Sequence, residues 1–404
     1  SFPSPRFEAG PAEGDTLQPT EGGRQAYEAD VNYLRIAEGS RLSVDAEYEH
    51  LTPLFETERD LVDADSDRTL LPASDAAKLA ATYNRTILGN VSATLTGEIE
   101  GEDSRAALRR ALDGSQRLLR DRRNRTGTLG YALNGDVGAW RWSLDGGYDR
   151  SWSTTLTDRD LLVGTGVGRD RTESASSNLR SEATASGDLF DLPAGGVPAT
   201  IGAGFNLRDM ESESIRSGIV TSTRLSRDQG HASASLDLPL LDGGGNGSLS
   251  VNANGRVEQL SDFGTLTTFG YGLNWEPIDE IRLIASMTHD QGAPTIQQLG
   301  DPILVTPNVR VVDVVTGQTV DITRIEGGNP GLLADSRREF KLGLTLRPLE
   351  GVTALVNFTD VRTDNPTASF PTATPEIEAA FPDRFVRDDE GNLLRIDSRP
   401  VNFS

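Results

Sequence analysis

Between residues 265 and 299, TLTTFGYGLNWEPIDEIRLIASMTHDQGAPTIQQL, apolar and polar positions alternate one by one. Phe269, Tyr271, Leu273 and Trp275 share one parity; Thr268, Gly270, Gly272 and Asn274 share the other. After a short EPIDE connection, Ile281, Leu283, Ala285 and Met287 oppose Arg282, Ser286 and Thr288, and only Ile284 breaks the polar row. Strand side chains alternate faces with period 2, so the pattern predicts an antiparallel hairpin with one apolar face and one small, polar face. Roughly seven such hairpins follow one another, which is the signature of a transmembrane β-barrel.

The others can be read in order. Residues 1–25, rich in Pro, Gly and acid, read as an irregular lead-in. A first hairpin joins 26–37 to 41–52 through Glu38-Gly39-Ser40, with Leu42, Val44, Ala46 and Tyr48 against Ser43, Asp45 and Glu47. A second turns near Gly89-Asn90 between Leu79-Ala81-Tyr83 and Val91-Ala93-Leu95. Residues 102–124, EDSRAALRRALDGSQRLLRDRRN, show no period of 2 and predict a short helix or an arginine-rich loop. A third hairpin leads from Leu129, Tyr131 and Leu133 through a Gly-Asp turn to Trp140, Trp142, Leu144 and Tyr148. Loops are expected at about 153–175 and again up to about 228, with a hairpin around DLPAGGVP between them. A further pair spans the turn DGGGNG, a loop of nearly fifty residues follows the hairpin at 265–289, and a last pair turns at RPLEG.

Short turns inside hairpins and long polar links between them are the asymmetry of outer-membrane barrels, with short periplasmic turns and long extracellular loops. The short link near 261–265 departs from it. Trp140, Trp142 and Trp275 lie within a few residues of short turns, and Trp152 lies where a long loop is expected; these four are the candidate membrane-interface aromatics.

Composition changes the picture in three ways. No apolar run approaches the roughly 20 residues a membrane helix requires, and the mean hydropathy of -0.39 is compatible with a barrel, in which only alternate strand residues meet lipid. The chain has 404 residues, 61 acidic against 39 basic, for a formal charge of -22, the reverse of a nucleic-acid binder. It has no cysteine, which removes disulfides, thiol nucleophiles and thiolate metal sites.

Several stretches resemble the barrel of TonB-dependent outer-membrane receptors. They are LNWEPIDEIRLIASMTHDQGAPTIQQLGDP, EGGNPGLLADSRREFKLGLTLRP and VTALVNFTDVRTDNPTASF, in that order, with GDLFDLPAGGVPATIGAGF (187–205) before them and PEIEAAFPDRFVRDDEGNLLRIDSRPVNF (375–403) after. The resemblance covers 187–403 by motif and the first half by pattern. It implies a barrel of about 22 strands with an N-terminal plug, driven by an inner-membrane energy-coupling complex; roughly 14 strands are counted here, so a fragment lacking the plug and the last strands is expected. Residues 26–404 are then a partial barrel domain. The implied function is active import of a scarce solute, such as siderophore-iron, cobalamin or an oligosaccharide, by a monomer set in outer-membrane lipid and lipopolysaccharide. A passive porin, or a complete smaller barrel of about 14 strands, is the alternative.

Enzymatic chemistry finds few candidates. His50, His231 and His289 are scattered and form no metal-binding pair. No Gly-x-Ser-x-Gly elbow occurs, and the glycine runs GTGVG and DGGGNG lack the context of a phosphate loop. Asp63-Ala64-Asp65-Ser66-Asp67 begins like a calcium loop, but Arg68 stands where glycine is required and Ser74 where the bidentate acid belongs. No catalytic residue, cofactor, metal site or nucleic-acid partner is expected, and no substrate-binding residue can be picked out.

Overall fold

The computed structural model describes residues 6–10, 23–59, 68–111, 114, 116–160, 166–245, 247–301, 303–349 and 351–403. The strands are β1 (Arg6–Gly10), β2 (Ala26–Ala37), β3 (Ser40–Leu51), β4 (Leu54–Phe55), β5 (Thr69–Leu71), β6 (Ala73–Ile87), β7 (Val91–Arg110) and β8 (Arg117–Val137). They continue with β9 (Trp140–Asp160), β10 (Val167–Leu192), β11 (Gly195–Arg216), β12 (Ile219–Asp242), β13 (Ser248–Leu260), β14 (Gly264–Ile278) and β15 (Ile281–Gly292). Helix α1 (Ile296–Gly300), β16 (Leu304–Val312), β17 (Thr319–Glu326), β18 (Asp335–Leu349) and β19 (Val352–Asp364) follow. The chain ends with β20 (Thr367–Ala368), α2 (Pro375–Ala380), β21 (Phe385–Arg387), β22 (Leu393–Asp397) and β23 (Val401–Asn402).

Fifteen strands form one sheet in the order β1-β2-β3-β6-β7-β8-β9-β10-β11-β12-β13-β14-β15-β18-β19, with β1 and β19 as its edge strands. A four-stranded sheet, β16-β17-β22-β21, and the pairs β20-β23 and β4-β5 complete the fold. The chain divides into two compact units: Ser1–Ala185 with Gly204–Arg224, and Ser186–Ala203 with Leu225–Ser404.

In the second unit the alternation read from the sequence becomes rows. Val251, Leu273, Ala285, Leu342 and Phe358 stand side by side across β13, β14, β15, β18 and β19. Leu249, Trp275, Leu283, Leu344 and Val356 form the next row. On the opposite face the rows are Asn252-Gly272-Ser286-Lys341-Thr359 and Ser250-Asn274-Ile284-Gly343-Asn357. The apolar face is exposed, Tyr271 by 55%, Val356 by 57% and Phe358 by 54%. An exposed, contiguous apolar face this large needs a covering, and on a sheet built from hairpins lipid supplies it. The polar face is crowded instead: a Cβ on Gly270 or Gly272 would come within 2.5 Å of Asn254 Oδ1 or 2.7 Å of Asn252 Oδ1.

The first unit repeats the division. Tyr33, Val44, Ala81, Gly97, Leu129 and Tyr148 make an apolar row; Asp30, Glu47, Lys78, Glu100, Thr126 and Ser151 make a row on the other face. Here the structure corrects several expectations. Residues 102–124 are neither helix nor loop where described: β7 runs to Arg110 and β8 begins at Arg117. The loop expected at 153–175 is largely strand, since β9 extends to Asp160 and β10 starts at Val167. The loop expected before 228 is a hairpin of β11 and β12 turning at Ser217-Gly218. At 20 or 21 residues, β7, β8 and β9 exceed the 9–11 that cross a bilayer, so much of each stands clear of the apolar band.

Above that band both faces meet water and no alternation is required. Ion pairs stabilise the extended ribbon instead. Arg105 pairs with Asp121 at 2.6 Å, and Arg169 bridges Asp121 (2.6 Å) and Asp158 (3.1 Å). Arg159 meets Asp170 at 2.8 Å. The Gly-Asp turn is also displaced: Gly135 and Asp136 pair with Trp142 and Arg141, and the chain reverses at Gly138, whose φ of +63° suits glycine. Within the lead-in, Arg6–Gly10 pairs antiparallel with β2.

Candidate functional site

In the second unit, the tight turns that join β12 to β13, β14 to β15 and β18 to β19 lie at one end of the sheet. Two long excursions leave the other end, after β15 and after β19, from neighbouring strands: Gly292 faces Asp335, and Ser336 faces Asp364. They fold into a common cap. Strand β17 of the first excursion pairs in parallel with β22 of the second, Thr323 to Arg395 through Ile325 to Asp397. Ile322, Phe385, Leu393 and Ile396 bury their side chains between them, with Phe370 and Ile377 packed around. Threonines cap both short helices: in α1 the Thr295 hydroxyl accepts from Gln298 N and the Gln298 side chain accepts from Thr295 N, a capping box, and in α2 the Thr374 hydroxyl accepts from Ile377 N.

Three sets of polar contacts fix the cap. Asn329 donates through Nδ2 to Pro400 O (2.9 Å) and accepts from Gly331 N (3.0 Å), while its own N–H reaches Gln298 O at 2.7 Å. Next to it Gly328 lies so close to α1 that a Cβ would sit 2.6 Å from Asp301 N. Asn402 donates to Leu333 O, Asn365 O and Thr367 Oγ1 and accepts from Leu333 N. The Gly-Asn-Pro and Asn-Pro motifs are thus staples between segments far apart in sequence.

The third set is ionic. Asp313 is fully buried and takes two hydrogen bonds from Arg387, at 2.8 and 2.9 Å, with others from Val315 N and Thr316 Oγ1. Arg387 also grips Glu378 at 2.6 and 2.8 Å. The Arg387 guanidinium holds the Asp313 carboxyl well below the usual carboxylate range, against the opposing effect of burial, and is itself pushed up by Asp313 and Glu378. Asp397, nearly buried, accepts from Arg399 at 2.7–3.2 Å and meets Arg384 at 3.0 Å; burial raises its carboxyl, and the two arginines outweigh that and lower it. At the base of the cap Arg227 makes a bidentate contact with Asp262 and donates to Pro294 O at 2.9 Å, tying the β13–β14 link to the Ala-Pro segment. That link is short: β13 ends at Leu260 and β14 begins at Gly264.

The four tryptophans take their places on the exposed face. Trp140 opens β9, and Trp142 lies over Gly135, whose Cβ would meet its ring at 2.9 Å. Trp152, 43% exposed, lies within β9 and not at its end, with Arg150 stacked on its ring at 4.7 Å. Trp275 is 40% exposed beside Leu249 and Leu283. The histidines stay apart: His50 bonds Asp75 at 2.7 Å, His289 stacks on Phe269 at 4.5 Å, and His231 faces Glu258 across β12 and β13. Among the described residues no group of three His, Cys, Asp or Glu could hold a metal ion. Asp63–Asp67 lies outside the described residues, and Ser74 is a buried residue of β6. Asp313, Glu378 and Arg387 were not legible as a set: 74 residues separate Asp313 from Arg387, and no local spacing links them.

A sheet of long antiparallel hairpins with one exposed apolar face, a polar opposite face and, in the second unit, a folded cap at the end away from the tight turns is what the strands of an outer-membrane receptor barrel look like. The family described as "TonB dependent receptor-like, beta-barrel" matches residues 59–385, and the chain belongs to it. Its place is the bacterial outer membrane. Among solved structures it is similar to the siderophore receptor PirA from Acinetobacter baumannii (12% identity, 98% of this chain and 57% of that one, TM-score 0.60). PirA from Pseudomonas aeruginosa aligns at 12% identity over 99% of this chain and 60% of that one, with a TM-score of 0.56. A mutant of the ferric enterobactin receptor PfeA from Pseudomonas aeruginosa, in complex with enterobactin, aligns at 12% identity over 98% and 57%, with a TM-score of 0.58. The chain therefore spans about three fifths of the length of these receptors. No curated protein matches it in sequence.

Proposed function

We propose that residues 26–404 are the ligand-capturing portion of a TonB-dependent importer, with the cap of the second unit receiving a small, scarce solute on the cell surface. The observation that carries this reading is the cap itself: two excursions built on neighbouring strands, given a hydrophobic core of their own and locked by Asp313 and Arg387. A passive pore needs no such folded structure at its mouth. An iron chelate is the substrate class favoured, because the similar solved proteins are a siderophore receptor and a ferric enterobactin receptor. The role is transport, not catalysis. Its partners would be outer-membrane lipid and lipopolysaccharide, the solute, and an inner-membrane energy-coupling complex engaged through a plug, with the protein acting as a monomer.

Trp140 and Trp142 would mark the periplasmic rim of the apolar band and Trp152 the outer rim, with Trp275 on the periplasmic side. The spacing supports this. Ten residues from Trp142 to Trp152 cover about 33 Å along the strand, or about 25 Å of membrane depth at a tilt near 40°, the height of the lipid-facing band. The test is solute uptake by cells grown under iron limitation, with and without a protonophore. Uptake of ferric siderophore that depends on this protein and stops with the protonophore supports the reading; uptake indifferent to the protonophore makes the protein a passive porin.

A further inference from the structure

Two guanidinium nitrogens of the cap are buried without a hydrogen-bond acceptor, Nε of Arg324 and Nη1 of Arg384. Arg324 is 39% exposed and has Glu326 at 4.0 Å. Arg384, which ends the turn before β21, keeps only 18% of its side chain exposed, and that side chain makes no hydrogen bond to any described residue. Among the described residues it meets Asp397 alone, with Nη1 3.0 Å from Oδ1. That carboxylate is already filled. Arg399 gives Oδ1 its backbone N–H at 3.2 Å and its Nε at 2.9 Å, and gives Oδ2 its Nη2 at 2.7 Å. Each oxygen has two lone pairs, so Oδ1 has none left to align with Arg384.

Asp397 thus has two arginines where one satisfies it, and the cluster carries an excess positive charge inside a chain of formal charge -22. No second acid among the described residues lies within ion-pair distance of Arg384 or Arg399. Next along the chain, the latch is built the other way: Arg387 alone serves Asp313 and Glu378, with hydrogen bonds at 2.6–2.9 Å. A buried donor left without an acceptor costs more than the bond it forgoes is worth, and buried polar groups are paired in nearly every case. Neutralising Asp397 therefore does not account for Arg384.

We infer that Arg384 and Arg399 form a binding site for an oxyanion, a carboxylate or phosphate group that reaches the cap from outside and takes the free edges of both guanidinium groups. The planar fork of arginine fits two oxygens of such a group. Nε and Nη2 of Arg384 and Nη1 of Arg399 have no acceptor among the described residues, and the exposure that both side chains keep makes them reachable. A bound group ties the turn 382–384 to the segment 398–402, which is held by Asn329 at Pro400 and by the Ser398 N–H on Ile325 O. The group can sit on a free small anion or on the imported solute; only the second source rests on the import reading above.

The experiment titrates the whole purified protein in detergent at about 0.15 M salt, where weak surface attraction is screened. The probes are inorganic phosphate, citrate and a ferric polycarboxylate complex, read by calorimetry and by hydrogen exchange at 382–387 and 396–402. Wild type is expected to bind at least one probe saturably, with protection rising in both segments. Arg384→Gln keeps Asp397 paired with Arg399 and should weaken that binding about tenfold or more. Asp397→Asn removes the competing carboxylate and should tighten it. Arg362→Gln, which removes the same charge from an exposed pair on β19, should leave it unchanged. Three results overturn the site: no saturable binding of any probe, wild-type binding by Arg384→Gln, or an equal loss in Arg362→Gln. So does protection that falls in Arg384→Gln without anion while wild type ignores the probes, because Arg384 then serves Asp397 alone. Tighter binding of the ferric complex than of either free anion supports a solute-borne group; the reverse supports a free anion. Uptake that fails for every ferric chelate while phosphate or citrate still binds refutes the import reading and leaves the site standing.

Discussion

An arginine placed on β14 should cost an amount set by its face and its depth. Each residue advances about 3.3 Å along the strand and about 2.5 Å into the membrane at a tilt near 40°. With Trp275 at the rim, as proposed, Leu273 would lie about 5 Å inside and Tyr271 about 10 Å inside, close to the midplane of a band about 25 Å tall. Arginine on the lipid face costs about 2–4 kcal/mol at the midplane and about 0–1 at the edge. Leu273→Arg should therefore destabilise by about 1–2 kcal/mol and Tyr271→Arg by about 2–3. Asn274 belongs to the polar row and already accepts a hydrogen bond from Arg282 at 3.3 Å. Asn274→Arg adds a repulsion between exposed, hydrated charges, within about 0.5 kcal/mol. The assay is reversible folding of the protein into short-chain lipid bilayers, followed by tryptophan fluorescence against denaturant. Equal costs at 271, 273 and 274, or a larger cost at 274 than at 271, would show that the faces are misassigned.

Other consequences concern the cap. Arg387→Ala leaves Asp313 buried without its cation and should destabilise the cap by about 3–5 kcal/mol, seen as protease cleavage between residues 303 and 334 while the sheet stays resistant. The pH dependence follows from the low folded-state value of Asp313: its contribution is present above the unfolded value and lost only as pH falls through the lower folded one, so amide protection factors (exchange corrected for its intrinsic pH dependence) in β17 and β22 should be flat from pH 7 to about 4 and fall below that. A loss of protection already between pH 7 and 5 would assign the latch to another group. Asn329→Ala removes contacts to Pro400 and Gly331 and should cost about 1–3 kcal/mol, with exchange rising at 296–301 and 400–402 together. Gly247 has φ of +73°, and a Cβ there would overlap Glu276 O and Pro277, so Gly247→Ala should lower folding yield more than Gly245→Ala, whose Cβ meets nothing.

How far the sequence could be read depended on what each segment faces. Where a strand has lipid on one side and water on the other, solvation forces the period of 2, and the hairpins of β2-β3, β14-β15 and β18-β19 turn where the pattern puts them. Beyond the band that constraint lapses. From Glu102 to Asn124 a strand needs only a partner strand and balanced charge, and Arg105-Asp121 and Arg125-Asp103 supply the balance across neighbouring strands. Such pairing leaves no period in one stretch of sequence, so a charged ribbon reads as a loop.

The cap escaped for a different reason. Its core and latches join residues 60–75 positions apart: Asn329 to Pro400, Leu333 to Asn402, Asp313 to Arg387. A single sequence marks the ends of such contacts, as Gly-Asn-Pro and Asn-Pro here, without saying that they meet. The consequence is mechanical. Because the two excursions leave the sheet from neighbouring strands and are joined by the β17-β22 pairing, neither can move without breaking that pairing or dragging the other along. Arg387→Ala should uncouple the two: exchange in β16 and β17 would then rise without an equal rise in β21 and β22. Unison exchange in that variant would place the coupling in the hydrophobic contacts of Ile322 with Phe385 and Ile396 rather than in the ion pair.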